Sequence, residues 1–177
     1  MKICLYGAGS KNIKSEYLED AYLLGAEIAK RGHKLVFGGG NAGIMGAVSK
    51  GVLDNDGEIL AIAPKWIDEI ETLRKDTEFI YTETMDERKN LFLKNSDSFI
   101  IAPGGIGTLD EFFEIITLKL LKRHNKKIVL FNLNNYFDIL LDYFDFMEKE
   151  GVLRDNRENI FKIANTIEEV FNILENE

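Results

Sequence analysis

Residues 98–111 read Ser98-Phe99-Ile100-Ile101-Ala102-Pro103-Gly104-Gly105-Ile106-Gly107-Thr108-Leu109-Asp110-Glu111. Four consecutive apolar residues, Phe99 to Ala102, leave no polar face, which is how a strand reads when helices cover both sides of its sheet. Pro103 closes the strand, a glycine-rich turn follows, and from Leu109 the apolar spacing takes on helical period. Strand, glycine turn and helix in direct succession make one βα unit.

The same alternation extends in both directions. Strands are expected at Lys2–Tyr6, Lys34–Phe37, Glu58–Ile62, Glu78–Thr82, Ser98–Ala102 and Lys127–Phe131. Helical period is expected at about Ser15–Lys30, Gly43–Leu53, Met85–Lys94, Leu109–Lys122, Tyr136–Glu150 and Ile167–Glu175. Ile128 to Phe131 repeat the all-apolar pattern. A Rossmann-like, doubly wound α/β fold follows, its mainly parallel sheet flanked by helices on both faces. No internal repeat, low-complexity tract or Pro/Gly/Ser-rich linker interrupts the 177 residues, so residues 1–177 read as a single domain.

Composition narrows the partners. Hydrophobic residues make up 45% and charged residues 29%, the balance of a globular chain. A net charge of −8 gives no broad positive field for nucleic acid. The single cysteine, Cys4, cannot form an internal disulfide and sits between Ile3 and Leu5 as in a buried strand, which fits a reducing compartment. The N-terminal apolar run reaches a glycine turn too soon for a signal peptide, and none approaches the roughly 20 residues of a membrane span. The expectation is a cytoplasmic protein acting away from membranes. Two histidines and one cysteine nearly exclude a zinc site of soft ligands, and no metal is expected.

In doubly wound sheets, ligands bind outside the carboxyl ends of the strands. Three turns there are glycine-rich: Gly7-Ala8-Gly9-Ser10, Gly38-Gly39-Gly40-Asn41-Ala42-Gly43 and Pro103 to Thr108. The second contains GxGxxG through Gly38, Gly40 and Gly43, but after the second strand, where a dinucleotide fingerprint does not belong. No Walker A pattern occurs. In the third turn, glycines leave N–H groups uncovered at a helix start, which suits a phosphate. The alternative is a tight turn that uses glycine only to change direction.

Met85, Arg88, Phe92 and Asn95 share one face of a helix, so Arg88 lies on an apolar stripe and calls for an anionic partner, or else snorkels outward. Lys89 points about a quarter-turn away. Thr108-Leu109-Asp110-Glu111 also fits a capping box, in which Glu111 reaches back to the Thr108 N–H. A catalytic carboxylate and a cap are both open readings of Glu111.

Met85-x-x-Arg88-Lys89 followed by Pro103-Gly104-Gly105-x-Gly107-Thr108-x-x-Glu111 resembles the paired signature of the LONELY GUY family, cytokinin riboside 5′-monophosphate phosphoribohydrolases once widely labelled lysine decarboxylases. The resemblance extends through Ile44-Met45-Gly46 to Asn132–Leu141 and covers most of the chain. It implies a nucleotide-binding domain that hydrolyses the N-glycosidic bond of a nucleoside 5′-monophosphate, a cytokinin riboside monophosphate or AMP, to free base and ribose 5-phosphate. By position, Arg88 and Glu111 would be catalytic. Lys89, Gly104, Gly105, Ile106, Gly107, Thr108 and Thr117, with Gly38 and Gly43 of the second turn, would bind substrate. The resemblance implies a homodimer or higher homo-oligomer with sites near the subunit interface, and no cofactor.

Two departures stand out. Thr117-Leu118-Lys119-Leu120-Leu121-Lys122 lacks the tryptophan and glycine common there in the family, which leaves base preference open, and contacts from Trp66–Thr84 do not transfer. Nothing resembles a pyridoxal-phosphate lysine, so decarboxylation is not expected. The rival expectation is a non-catalytic nucleotide or cofactor carrier of the same fold. His33 is expected to cap a helix end, Lys122 to Lys127 to form a helix terminus with a solvated loop, and Phe137, Tyr143, Phe144 and Phe146 to pack a core or a dimer.

Overall fold

The computed structural model describes residues 1–67 and 72–176. Seven strands are found among them: β1 (Lys2–Tyr6), β2 (Lys34–Phe37), β3 (Glu58–Pro64), β4 (Glu78–Thr82), β5 (Ser98–Ile101), β6 (Lys127–Phe131) and β7 (Lys162–Ala164). They form one sheet in the order β4-β3-β2-β1-β5-β6-β7, and every neighbouring pair is parallel. The helices are α1 (Leu18–Lys30), α2 (Gly43–Leu53), α3 (Met85–Asn95), α4 (Ile106–Leu120), α5 (Asp138–Lys149), α6 (Arg157–Ile160) and α7 (Ile167–Glu175).

Strand alternation sorts the core into two layers. In β1, Ile3 and Leu5 join Leu24, Ile28, Val48 and Phe171 on the face covered by α1, α2 and α7. Cys4 and Tyr6 face the other way, into Phe92, Phe112, Phe144 and Ile160 from α3, α4, α5 and α6. Both faces of the sheet are thus dry at its centre, which is why β1, β2, β5 and β6 carry no polar side, while the edge strands β4 and β7 keep exposed positions. Burial pushes the Cys4 thiol well above its ordinary pKa, which fits an inert core position.

Six of the strands lie where the sequence places them; β7 and α6 are additions. The segment read as Ser15–Lys30 divides into a 3-10 turn, Ser15–Tyr17, and α1. Against α1, α2 packs backbone to backbone: a Cβ on Gly25 would lie 2.0 Å from the Val48 carbonyl oxygen, and one on Gly51 2.0 Å from that of Tyr22.

Two basic features serve the fold in ways the sequence does not show. His33 closes α1 with its backbone, its N–H donating to the Ile28 carbonyl at 3.0 Å, while its ring binds Glu175 at 2.9 Å. Arg31 meets the same carboxylate at 2.7 Å and lies over Phe171, so the pair clasps α7. The expected solvated loop holds at Lys122, Arg123 and Asn125, which are exposed, while His124 and Lys126 turn inward. Lys126 donates to the carbonyls of Leu93 and Ser96 at the end of α3. The His124 Nδ1 accepts the Lys126 N–H at 3.2 Å, which leaves Nε2 to donate to the Ile115 carbonyl at 2.8 Å; burial lowers the pKa of this neutral ring. The carbonyls left free at the end of α3 draw the Lys126 ammonium in. No helix among the described residues is long and apolar enough to cross a membrane.

Candidate active site

Strand order reverses between β1 and β5, whose onward connections run to opposite sides. A crevice opens at the carboxyl ends of two such strands. One wall is Gly7 to Ser10, after β1; the other holds Gly105, Gly107 and Thr108, after β5. Arg88 and Glu111 lie between them, with Met45, Trp66, Ile67, Met85 and Asp110 around the rim, and the space amounts to about 430 Å³. The Ala8 N–H donates to the Pro103 carbonyl at 3.0 Å and the Met45 N–H to the Ala8 carbonyl at 3.2 Å, so the walls are tied through their backbones.

Helix α4 begins at Ile106 with Gly105 at its N-cap, three residues ahead of the start that the capping-box reading requires. Leu109 makes the first helical bond, to the Gly105 carbonyl at 3.0 Å. The N–H groups of Ile106, Gly107 and Thr108 therefore precede any acceptor within the helix, and they bring the positive end of its dipole to the cavity. Thr108 and Glu111 fall inside the helix, so Glu111 is not a cap. A glycine-rich start allowed the helix to form early, and a partner on another helix claimed the carboxylate.

That partner is Arg88. The Thr84 side chain caps α3 by accepting the Glu87 N–H at 3.1 Å, and Glu87 reaches back to the Glu83 N–H at 2.9 Å. With its start fixed, α3 directs Arg88 and Phe92 along the inward stripe. The guanidinium lies over Phe92 at 4.9 Å, donates from Nε to the Ile62 carbonyl at 3.1 Å, and meets Glu111 Oε1 from Nη1 at 2.9 Å. Both side chains are nearly buried, 13% and 10% exposed, where breaking an ion pair costs about 3–5 kcal/mol.

The other expected binding residues separate into groups. Gly105, Gly107 and Thr108 line the cavity. Gly104 lies beneath them, where a Cβ would come within 2.1 Å of Thr108 Oγ1. Gly38 packs behind Arg88, with room for its Nη2 only because position 38 carries no side chain. Gly43 starts α2 and faces the carbonyls of Ala8 and Ser10. Lys89 turns from the cavity to Asp110 at 2.9 Å and Glu114 at 2.8 Å, which join α3 to α4 and raise its pKa. Ile106, 88% exposed, and Thr117 lie on the outer face of α4 with Phe113. The wall Gly7–Ser10 and the rim residues Met45, Trp66 and Ile67 were absent from the expected binding set. The reversal in strand order is the signal that finds the first of these, because it singles out the turn after β1.

An α/β protein with a guanidinium and a carboxylate paired at the switch point, beside bare amides, gathers in one cleft the groups that can receive an anion. Residues 45–174 match the family model described as "Possible lysine decarboxylase". A cytokinin riboside 5′-monophosphate phosphoribohydrolase of Arabidopsis thaliana is 36% identical over 175 residues, 98% of this chain and 81% of that protein. The enzyme of that name from Oryza sativa subsp. japonica is 35% identical over 170 residues, 96% of this chain and 70% of its own. The chain belongs to this family, the one that resembles its Arg88 and Glu111 signature. Among solved structures, the molybdenum cofactor binding protein of Rippkaea orientalis superposes with a TM-score of 0.71 at 25% identity, covering 98% of this chain and 94% of that one. The Moco carrier protein of Chlamydomonas reinhardtii shares the fold, with a TM-score of 0.70 at 21% identity over 97% and 93% of the two chains.

Proposed function

We propose that the protein hydrolyses the N-glycosidic bond of a nucleoside 5′-monophosphate, a cytokinin riboside monophosphate or AMP, releasing free base and ribose 5-phosphate. The observation that carries this reading is the Arg88–Glu111 pair, 2.9 Å apart, facing the same cavity as the amides that start α4. Those amides take the phosphate and so fix the ribose in the cleft. As the bond from C1′ to the base lengthens, positive charge grows on the sugar, and the Glu111 carboxylate stabilises it. Glu111 also orients water for attack on C1′; water adds its hydroxyl there, the C1′–N bond breaks, and the proton passes through Glu111 to the departing base. Arg88 sets the direction of the carboxylate. The relatives' shared activity at 35–36% identity supports the reaction, and the apolar rim of Met45, Trp66, Ile67 and Met85 supports a purine with an apolar substituent.

Chromatography of mixtures containing AMP, isopentenyladenosine monophosphate and the two unphosphorylated nucleosides tests this directly. Free base is expected from the monophosphates with kcat/KM roughly 100-fold or more above the nucleosides, the worth of a few charge-assisted hydrogen bonds. Equal turnover with and without phosphate would remove the anion role of Gly105–Thr108. A carrier is the second reading, favoured by the likeness to the cofactor binding protein of Rippkaea orientalis. Tight nucleotide binding with no base released would establish it.

The assembly proposed with this function is a homodimer. Phe144 of α5 and Phe137 at its N-cap are buried, while Ile139, Tyr143 and Phe146 face outward, Tyr143 and Phe146 stacked at 6.2 Å and each 54% exposed. These three residues, spaced at i, i+4 and i+7, make an apolar stripe on α5. Sedimentation should give twice the chain mass, reduced to one chain in Phe146→Glu; a monomeric wild type would reject this assembly.

A further inference from the structure

The peptide between Gly104 and Gly105 has a glycine on each side, so neither residue's side chain restrains its rotation. Its carbonyl oxygen accepts a hydrogen bond from Tyr136 Oη at 2.8 Å. A trans peptide is planar, with C=O and N–H on opposite sides, so holding the one aims the other. Gly105 lines the cavity and Tyr136 does not. We propose that Tyr136 is a positioning residue: by gripping the Gly104 carbonyl from behind, it directs the Gly105 N–H toward the bound phosphoryl group.

Tyr136 is itself well placed to resist displacement. Asn134 and Asn135 adopt positive φ, 52° and 60°, which folds the chain sharply after β6. The Asn132 side chain spans the bend, donating to Asp138 Oδ1 at 2.8 Å and accepting the Phe137 N–H at 2.7 Å. The Tyr136 ring meets Tyr17 edge-on at 5.6 Å and Phe137 at 5.0 Å. Ring and hydroxyl thus do separable things: the ring anchors the loop and the hydroxyl orients one peptide of the anion turn. Without that hydroxyl the Gly104–Gly105 unit has a second orientation open to it, in which its carbonyl oxygen faces the phosphate and repels it.

The inference rests on Gly105–Thr108 as the phosphate site, and Tyr136→Phe tests it because phenylalanine keeps the ring. Calorimetric Kd values for AMP and adenosine are measured on wild type and variant, alongside kcat and melting temperature. In Tyr136→Phe the Kd for AMP is expected to rise about fivefold, as for one neutral hydrogen bond. The Kd for adenosine, kcat and the melting temperature should stay as in wild type. Tyr136→Leu, which also removes the ring, should lower the melting temperature as well. An unchanged Kd for AMP in Tyr136→Phe, or equal weakening of AMP and adenosine, overturns the proposal. A wild type that binds AMP without releasing adenine refutes the hydrolase and leaves the Kd ratio to decide on Tyr136. A wild type that does not prefer AMP to adenosine refutes both.

Discussion

Glu111→Gln should lower base release roughly a thousandfold, the scale of losing a general base together with a charge aimed at the transition state. Glutamine keeps the shape and an acceptor oxygen for Arg88 Nη1, now 2.9 Å from Glu111 Oε1, so the connection between α3 and α4 persists. What disappears is the negative charge opposite the developing oxocarbenium ion and the site that takes up the water proton. Steady-state rates with AMP and isopentenyladenosine monophosphate, set beside melting temperatures, separate the two losses. The rate should collapse while the melting temperature falls by much less than in Glu111→Ala, which leaves the buried guanidinium without its anionic partner. A glutamine variant within tenfold of wild type would show that the carboxylate's contribution is architectural.

The second large effect falls on stability. Gly25→Val should cost about 3 kcal/mol or more, because the new Cβ would lie 2.0 Å from the Val48 carbonyl oxygen and 2.8 Å from its carbon. These are backbone atoms inside α2, which no rotamer change can move aside. For a chain of this size the melting temperature should drop by about 10 °C. Gly107→Ala is the contrast: a Cβ there meets nothing within 4 Å, and the helix gains a better former, so its melting temperature should hold or rise. Equal tolerance at both positions would mean that α1 and α2 can part without strain. Separating them should also weaken the cleft, since α2 supports the first glycine turn through the Met45 N–H and the Ala8 carbonyl.

Strand positions were legible because burial on both faces writes itself as unbroken apolar runs, seen in Phe99–Ala102 and Ile128–Phe131. β7 was not, being three residues, Lys162-Ile163-Ala164, at the sheet edge and too short to show any period. α6, four residues long, fails for the same reason. At the site, the helical stripe left Arg88 either to find an anion or to snorkel outward, and it finds Glu111. The start of α4 was misjudged because Thr108-x-x-Glu111 satisfies a local rule while the actual partner of Glu111 is 23 residues away in sequence. Local motifs cannot register a competitor on another helix. Tyr136 was invisible for the same reason, lying 32 residues from the carbonyl it holds.

The central pairing of β1 with β5 joins residues 3–6 to residues 98–101. Arg88 arrives from one half of the chain and Glu111 from the other, so the cleft has no existence until both halves have docked. On the function proposed above, a nucleotide binds only those states in which both halves are joined. Occupancy then acts as a staple across the seam: its free energy opposes every opening that separates the two halves, while fraying of the outermost strands, β4 and β7, that leaves the cleft intact goes unopposed.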